Sequence, residues 1–198
     1  MTVLIILAHP SKKSFNTAIA QVAKKTLKEL GHKVIFHDLY REGFHPILPE
    51  QEIPKDGDCD PVIDEHCKEL ISADGIIVIH PNWWGMPPAI LKGWIDRVFR
   101  PGIAYEFAEG DAGEGVPVGL LNMHTALVFN TSDTSREREE NIFFDPLETL
   151  WKNCIFYLCG VNVFYRKMFR IMVTSTKEER EDWLLEVENI VTKYFEKT

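Results

Sequence analysis

TVLIILA, residues 2–8, runs directly into HPSKKSFN, residues 9–16. The first stretch is short, apolar and β-branched, as a strand buried on both faces should be. The second is polar and basic. It leads into apolar residues at Phe15, Ile19, Val22, Ala23, Leu27 and Leu30, a helical spacing that Gly31 can stop. Strand, polar turn and amphipathic helix make one β–α unit, and the recurrence of that unit decides the fold.

It recurs five times. HKVIFHDL (32–39) reads as the second strand, and after a Pro- and acid-rich excursion (40–60) PVIDEHCKELISAD (61–74) resumes a helical pattern. GIIVIH (75–80) is the third strand, and PPAILKGWIDRVFR (87–100) is a helix whose prolines suit its start. A Gly-rich excursion (101–120) precedes TALVFN (125–130), the fourth strand, and the helix DPLETLWKNCIFYLCG (145–160). VNVFYRKM (161–168) is the fifth strand. TKEEREDWLLEVENIVTKYF (176–195) is the last helix, with Thr176 as N-cap and Glu179 as the returning capping-box residue.

Apolar strands alternating with helices predict an α/β fold in a single domain, residues 1–198. The expected form is a flavodoxin-like, doubly wound, five-stranded parallel sheet in the order 2-1-3-4-5, with helices on both faces. A ligand then belongs beyond the C-terminal ends of strands 1, 3 and 4.

The composition bounds the rest. With 198 residues, 45% hydrophobic, the chain can bury one substantial core. Lys and Arg number 22 against 30 Asp and Glu, a net charge of −8 without a basic stripe, which argues against nucleic-acid binding. Cys59, Cys67, Cys154 and Cys159 form no C-x-x-C pair and read as reduced thiols. With no charged leader before the first strand, a cytoplasmic location is expected. No apolar run is long enough for membrane insertion. The histidines are scattered and no H-E-x-x-H pattern exists, so no metal and no metal-dependent hydrolysis are expected.

Three loops fall at the predicted ligand edge. In HPSKKSFN, the unpaired N–H groups of a helix start meet hydroxyl, amide and basic side chains from His9, Ser11, Ser14 and Asn16. That chemistry can hold a phosphate; it can also be a plain helix cap beside solvated lysines. No G-x-G-x-x-G follows the first strand, which argues against an NAD-type dinucleotide fingerprint there. HPNWWGMPP (80–88) places two adjacent indoles in a turn, where they can flank a planar heterocycle or pack against a second subunit. Trp94, inside the next helix, reads as core. NTSDTSRE (130–137) offers small hydroxylated residues that suit close approach to a ligand or a simple turn. One ligand satisfies all three loops: a flavin nucleotide, its phosphate on the first loop and its rings between the other two.

The residues that carry a family resemblance are HPSKKSFN, DLY (38–40) with FHP (44–46), HPNWWGMPPAILKGWIDRVF (80–99) and AYEF (104–107). In these the chain resembles the NAD(P)H:quinone oxidoreductase family, the DT-diaphorase-like branch of the flavodoxin-like flavoproteins. The similarity runs from residue 1 to about 107, continues loosely through the fourth strand and next helix, and is not specific in the last forty residues. The resemblance implies a homodimer with flavin at the subunit interface. Carried over by position, His9, Ser14, Phe15, Asn16 and Ala18 would contact its phosphates, with Ser11 added from the loop chemistry. Pro81, Asn82, Trp83, Trp84 and Gly85 would line the ring system, and Thr131, Ser132, Asp133 and Thr134 its pyrimidine edge.

The expected cofactor is FAD, with FMN as the alternative, and the expected co-substrate is NAD(P)H. Hydride would pass through the flavin to a quinone or similar small acceptor. One pocket shared by donor and acceptor implies ping-pong kinetics. Trp84 and Tyr105 are the catalytic candidates, and Tyr40, Phe44 and Phe107 are further aromatics that can close the pocket. The chain departs from the family where Asp133-Thr134 replaces a Gly-Gly pair and where SREREENIFFDP lacks the Tyr and His of a charge relay. Other readings of the residues are a flavodoxin-type electron carrier, an azo- or nitro-reductase, and an ancillary subunit of a membrane transport system.

Overall fold

A computed structural model describes residues 1–55, 57–108, 110 and 115–196. Part of the 101–120 excursion lies outside the described residues. Five parallel strands form the main sheet: β1 (Thr2–Leu7), β2 (Lys33–Asp38), β3 (Gly75–Pro81), β6 (Thr125–Ser132) and β7 (Val163–Arg170). Their order is β2-β1-β3-β6-β7, the predicted doubly wound order, and every pair is parallel.

Alternation along each strand divides the core. Leu4, Ile6, Ile76, Val78, Ala126 and Val128 face one side, where α2 (Pro61–Ser72) and α3 (Ala89–Val98) contribute Leu70, Leu91 and Trp94. Val3, Ile5, Leu7, Ile77, Ile79, Leu127 and Phe129 face the other, packed by α1 (Phe15–Glu29) and α5 (Lys177–Phe195) through Ile19, Leu27, Val187 and Phe195. Trp94 is fully buried, as its place in the helix predicted. The Thr176–Glu179 capping box opens α5.

The 40–60 excursion is pinned across α3 rather than left loose. Arg97 donates from Nε and Nη2 to the Glu52 carboxylate at 2.9 and 2.6 Å, and from Nη1 to the His45 carbonyl. Both side chains are nearly fully buried. Gly93 lets the crossing happen: a Cβ there would lie 2.1 Å from the Pro46 carbonyl oxygen.

The structure corrects four readings. Phe44 is core, 6% exposed against His66 and Arg97, and closes no pocket. Residues 145–160 are not one α-helix. A short α4 (Pro146–Glu148) widens into π-helical turns over Thr149–Tyr157, and another π-helical turn covers Arg138–Ile142. The Gly-rich excursion contains a small antiparallel ribbon, β4 (Tyr105–Glu106) with β5 (Val118–Gly119). The fifth strand begins two residues later than expected, and runs to Arg170.

Candidate functional site

The turn after β1 folds around its own side chains. The Ser14 hydroxyl caps α1 by accepting from the Thr17 amide at 3.1 Å. His9 Nδ1 accepts from the Ser11 amide at 3.0 Å, so a neutral ring carries its proton on Nε2, ready to donate. Burial lowers the His9 pKa and favours that neutral form. The amides of Phe15 and Asn16 stand in the first helical turn, which has no intrahelical acceptor for them.

Asn16 spans the sheet edge. Its Nδ2 donates to Thr131 Oγ1 at 2.8 Å, joining the start of α1 to the end of β6. Its Oδ1 is buried and has no hydrogen-bond partner. A buried polar atom without a partner is costly, and such atoms mark places where a ligand donor is missing.

The turn after β3 is held by Asn82. Its amide donates to the Thr131 carbonyl at 2.7 Å, and its Oδ1 accepts from the Gly85 amide at 2.9 Å. Its Nδ2 donates to the Glu139 carboxylate at 3.1 and 3.2 Å. Trp83 and Met86 exchange backbone hydrogen bonds around Trp84 (φ 59°) and Gly85 (φ 71°). This is a tight two-residue turn with both central φ values positive. A bulky residue rarely takes that conformation, and Trp84 does so fully exposed, at 101%.

The turn after β6 packs against the segment that follows β7. Asp133 Oδ1 accepts from the Val173 amide at 2.7 Å, and the Met172 amide donates to the Ser132 carbonyl at 3.1 Å. The Asp133 carboxylate is therefore engaged by backbone.

These turns enclose a cavity of about 310 Å³, within the range of small-molecule sites. His9, Ser11, Ser14, Phe15 and Asn16 line it from the first turn, Pro81, Asn82 and Trp83 from the second, and Thr131, Ser132 and Asp133 from the third. Trp84, Gly85 and Thr134 line a neighbouring cleft of about 520 Å³ with Glu139, Phe143 and Pro146, and Asn82 belongs to both. Ala18 and Tyr105 line neither. Tyr105 instead packs edge-on to Phe107.

Sequence reading missed Met172, which lines the first cavity. Its signal was available: the turn after the fifth strand leaves the sheet at the same edge. It also missed what stands behind the turns. His80 Nε2 accepts from Trp151 Nε1 and Asn130 Nδ2, each at 2.9 Å, so Nδ1 carries the proton and donates to the Pro81 carbonyl at 2.8 Å. Full burial pushes its pKa down to about 4 and keeps the ring neutral. Asn130 Oδ1 accepts in turn from Arg166, which pairs with Asp145 and Glu148.

The flavodoxin-like fold family matches residues 1–190. The chain belongs to that family. It is 35% identical over 165 residues to a Haemophilus influenzae protein named as an uncharacterized NAD(P)H oxidoreductase, covering 81% of this chain and 79% of that one. It is 37% identical over 124 residues to rat NAD(P)H dehydrogenase [quinone] 1, a match spanning 53% of this chain and 45% of the rat enzyme. The NAD(P)H:quinone oxidoreductase structure from Methanothermobacter marburgensis superposes with a TM-score of 0.86 at 26% identity, covering 100% of this chain and 98% of that one. The resemblance read from the sequence holds, and with it the class of an oxidoreductase enzyme. Among the described residues, no helix of this family member is long and apolar enough to cross a membrane.

Proposed function

We propose that the protein is a flavin-dependent NAD(P)H oxidoreductase that passes hydride to a quinone or similar small acceptor. The observation that carries this reading is the cavity itself, where a helix start, the unpartnered Asn16 Oδ1 and the Trp83 indole converge. These groups fit a flavin nucleotide. Phe15 and Asn16 amides with Ser11 and His9 would hold its phosphates, Pro81, Asn82 and Trp83 its rings, and Thr131 to Thr134 its pyrimidine edge. A bound flavin supplies the redox chemistry, taking hydride from the nicotinamide and giving it to the acceptor.

The chain's own part is positional. Asn16 sets the distance between first and third turns, and Asn82 fixes the middle turn through Gly85 and Glu139. The neutral His9 donates without bringing an extra positive charge. We take FAD as the cofactor, because SFN in the first turn resembles the FAD-binding members; FMN is the alternative. Donor and acceptor sharing one cavity gives ping-pong kinetics.

A homodimer is part of the proposal. Trp84, Ile142 and Phe144 are 101%, 63% and 79% exposed beside the second cleft, apolar surface that a second copy would cover. The four free cysteines support a reducing, cytoplasmic setting.

The test is spectroscopic and kinetic. The purified protein should be yellow, release FAD on denaturation, and bleach on addition of NADH or NADPH. With a quinone, double-reciprocal plots should be parallel. A colourless protein that takes up neither FAD nor FMN overturns the reading.

A further inference from the structure

We infer that a cavity at the outer edge of β7 binds the 2′-phosphate end of NADPH, which makes the protein NADPH-selective; the nucleotide's identity rests on the oxidoreductase reading above. The cavity measures about 400 Å³. β7 ends the sheet, paired only with β6, so its outer backbone N–H groups face outward as spare donors.

Arg136, Lys167 and Arg170 line this cavity. Carboxylates offset part of this charge: Glu139 and Glu140 act on Arg170 from a distance, without an ion pair. Glu186 takes Lys167, and Glu140 lies 3.8 Å from Arg136 at a largely exposed site where such a pair contributes little. Among the described residues Arg170 has no ion pair, and its Nη1 is buried without a hydrogen-bond partner. The side chain as a whole is part-buried, and the cost falls on this one nitrogen, which is out of water with no acceptor. Burial and then the Arg136 charge lower the Arg170 pKa on balance, against the opposing pull of Glu139 and Glu140. A phosphate dianion offsets both costs, and its oxygens match the guanidinium fork. Trp183 adds a flat apolar wall for a purine.

The position suits a ligand shared with the first cavity. Trp183 packs on Phe15 at 5.7 Å, and Phe15 lines the first cavity. Asp133 and Met172 line the first cavity, while Ser135, two residues on from Asp133, and Ile171, next to Met172, line this one. The two cavities thus share the chain segments after β6 and β7, and a nicotinamide dinucleotide whose ring lies over the first cavity would set its adenosine against Trp183. The 2′-phosphate is the one group that separates NADPH from NADH.

The test is calorimetric titration of the purified, cofactor-loaded protein with 2′,5′-ADP, 5′-AMP and inorganic phosphate. We expect 2′,5′-ADP to bind about tenfold or more tightly than 5′-AMP, the scale of one charge-assisted contact. Arg170→Gln should abolish that preference. Arg136→Gln, at an exposed position that leaves folding intact, should reduce it. Equal affinities for the two nucleotides, or an unchanged preference in both variants, overturns the inference. Inorganic phosphate binding as tightly as 2′,5′-ADP overturns the nucleotide assignment. If NADPH is not oxidised but the preference and its loss in Arg170→Gln persist, the redox reading fails and this site stands. If NADH and NADPH turn over equally without 2′,5′-ADP selectivity, this site fails and the redox reading stands.

Discussion

Asn16→Leu should leave the flavin-free chain nearly as stable as before while weakening flavin binding. Leu keeps the volume and removes both polar atoms. What is lost is the 2.8 Å hydrogen bond to Thr131, with a net contribution of ~1 kcal/mol. What is relieved is the buried Oδ1 without a partner, an arrangement that costs ~1–3 kcal/mol. The two effects oppose each other, so the stability change should lie within ~1 kcal/mol of zero. Binding has no such compensation. A ligand donor that meets Oδ1 in the wild type finds a methyl group instead, worth ~1.4 kcal/mol, or about tenfold in Kd. Loss of the tie between the first and third turns adds to that.

Urea unfolding of the flavin-free chain gives the first quantity, and fluorescence titration with FAD and FMN gives the second. A stability loss of ~3 kcal/mol or more would mean that Oδ1 is satisfied in the free protein. A flavin Kd within about twofold of wild type would mean that Asn16 does not face the cofactor. Either result refutes the reasoning.

Trp84→Gly relieves a positive φ at a side chain that packs on nothing within its own chain, so the melting temperature should rise, by ~1 kcal/mol of stability, while sedimentation shows weaker self-association. Glu52→Ala leaves Arg97 buried with only carbonyl partners and should cost ~3–5 kcal/mol in chemical denaturation. Stability should fall as pH drops from about 6.5 towards 4. Burial holds both His66 and His80 at about 4, so below their unfolded values the unfolded chain binds more protons. His37 acts in the opposite direction. Although burial lowers its pKa, the Glu42 and Glu69 carboxylates raise it on balance, so its contribution is full at low pH and fades as pH rises through the folded value. Two groups outweigh one, and melting temperatures across this range should show the net fall; His80→Gln should flatten it.

Where local pattern and global fold agree, the sequence was enough. Continuous burial of Val3 to Leu7, with side chains alternating between the two faces of the sheet, and helical spacing from Phe15 to Leu27 follow from chain geometry, and they are enough for a sheet covered on both faces. The turns after strands 1, 3 and 4 could be placed at one edge because parallel connections leave little choice. Other features depend on distant partners. SREREENIFF has the charge density of a solvated face, yet Glu139 within it is fully buried, because Asn82, 57 residues earlier in the chain, supplies its hydrogen bonds. Residues 149–157 carry the apolar spacing of a helix, and nothing in that spacing signals their widened turns. Phe44, an aromatic in a loop excursion, is core because His66 and Arg97, distant in the chain, pack against it.

The Asp133-Thr134 departure illustrates how contact, rather than composition, sets the electrostatics of the cavity. Read from sequence, an aspartate there threatens any anionic ring with repulsion. In the structure it lines the cavity, and its Oδ1 accepts from the Val173 amide at 2.7 Å, which ties it to the segment after β7. The carboxylate that bears on the middle turn is Glu139 instead. By occupying Asn82 Nδ2 it leaves Asn82 Oδ1 free to hold Gly85, and so holds Trp84 in its exposed, left-handed conformation. Negative charge thus reaches the site as an orienting force on an amide. Where the resemblance would place a Tyr and a His, this region carries Glu139, which braces the turn on which the ring system would rest.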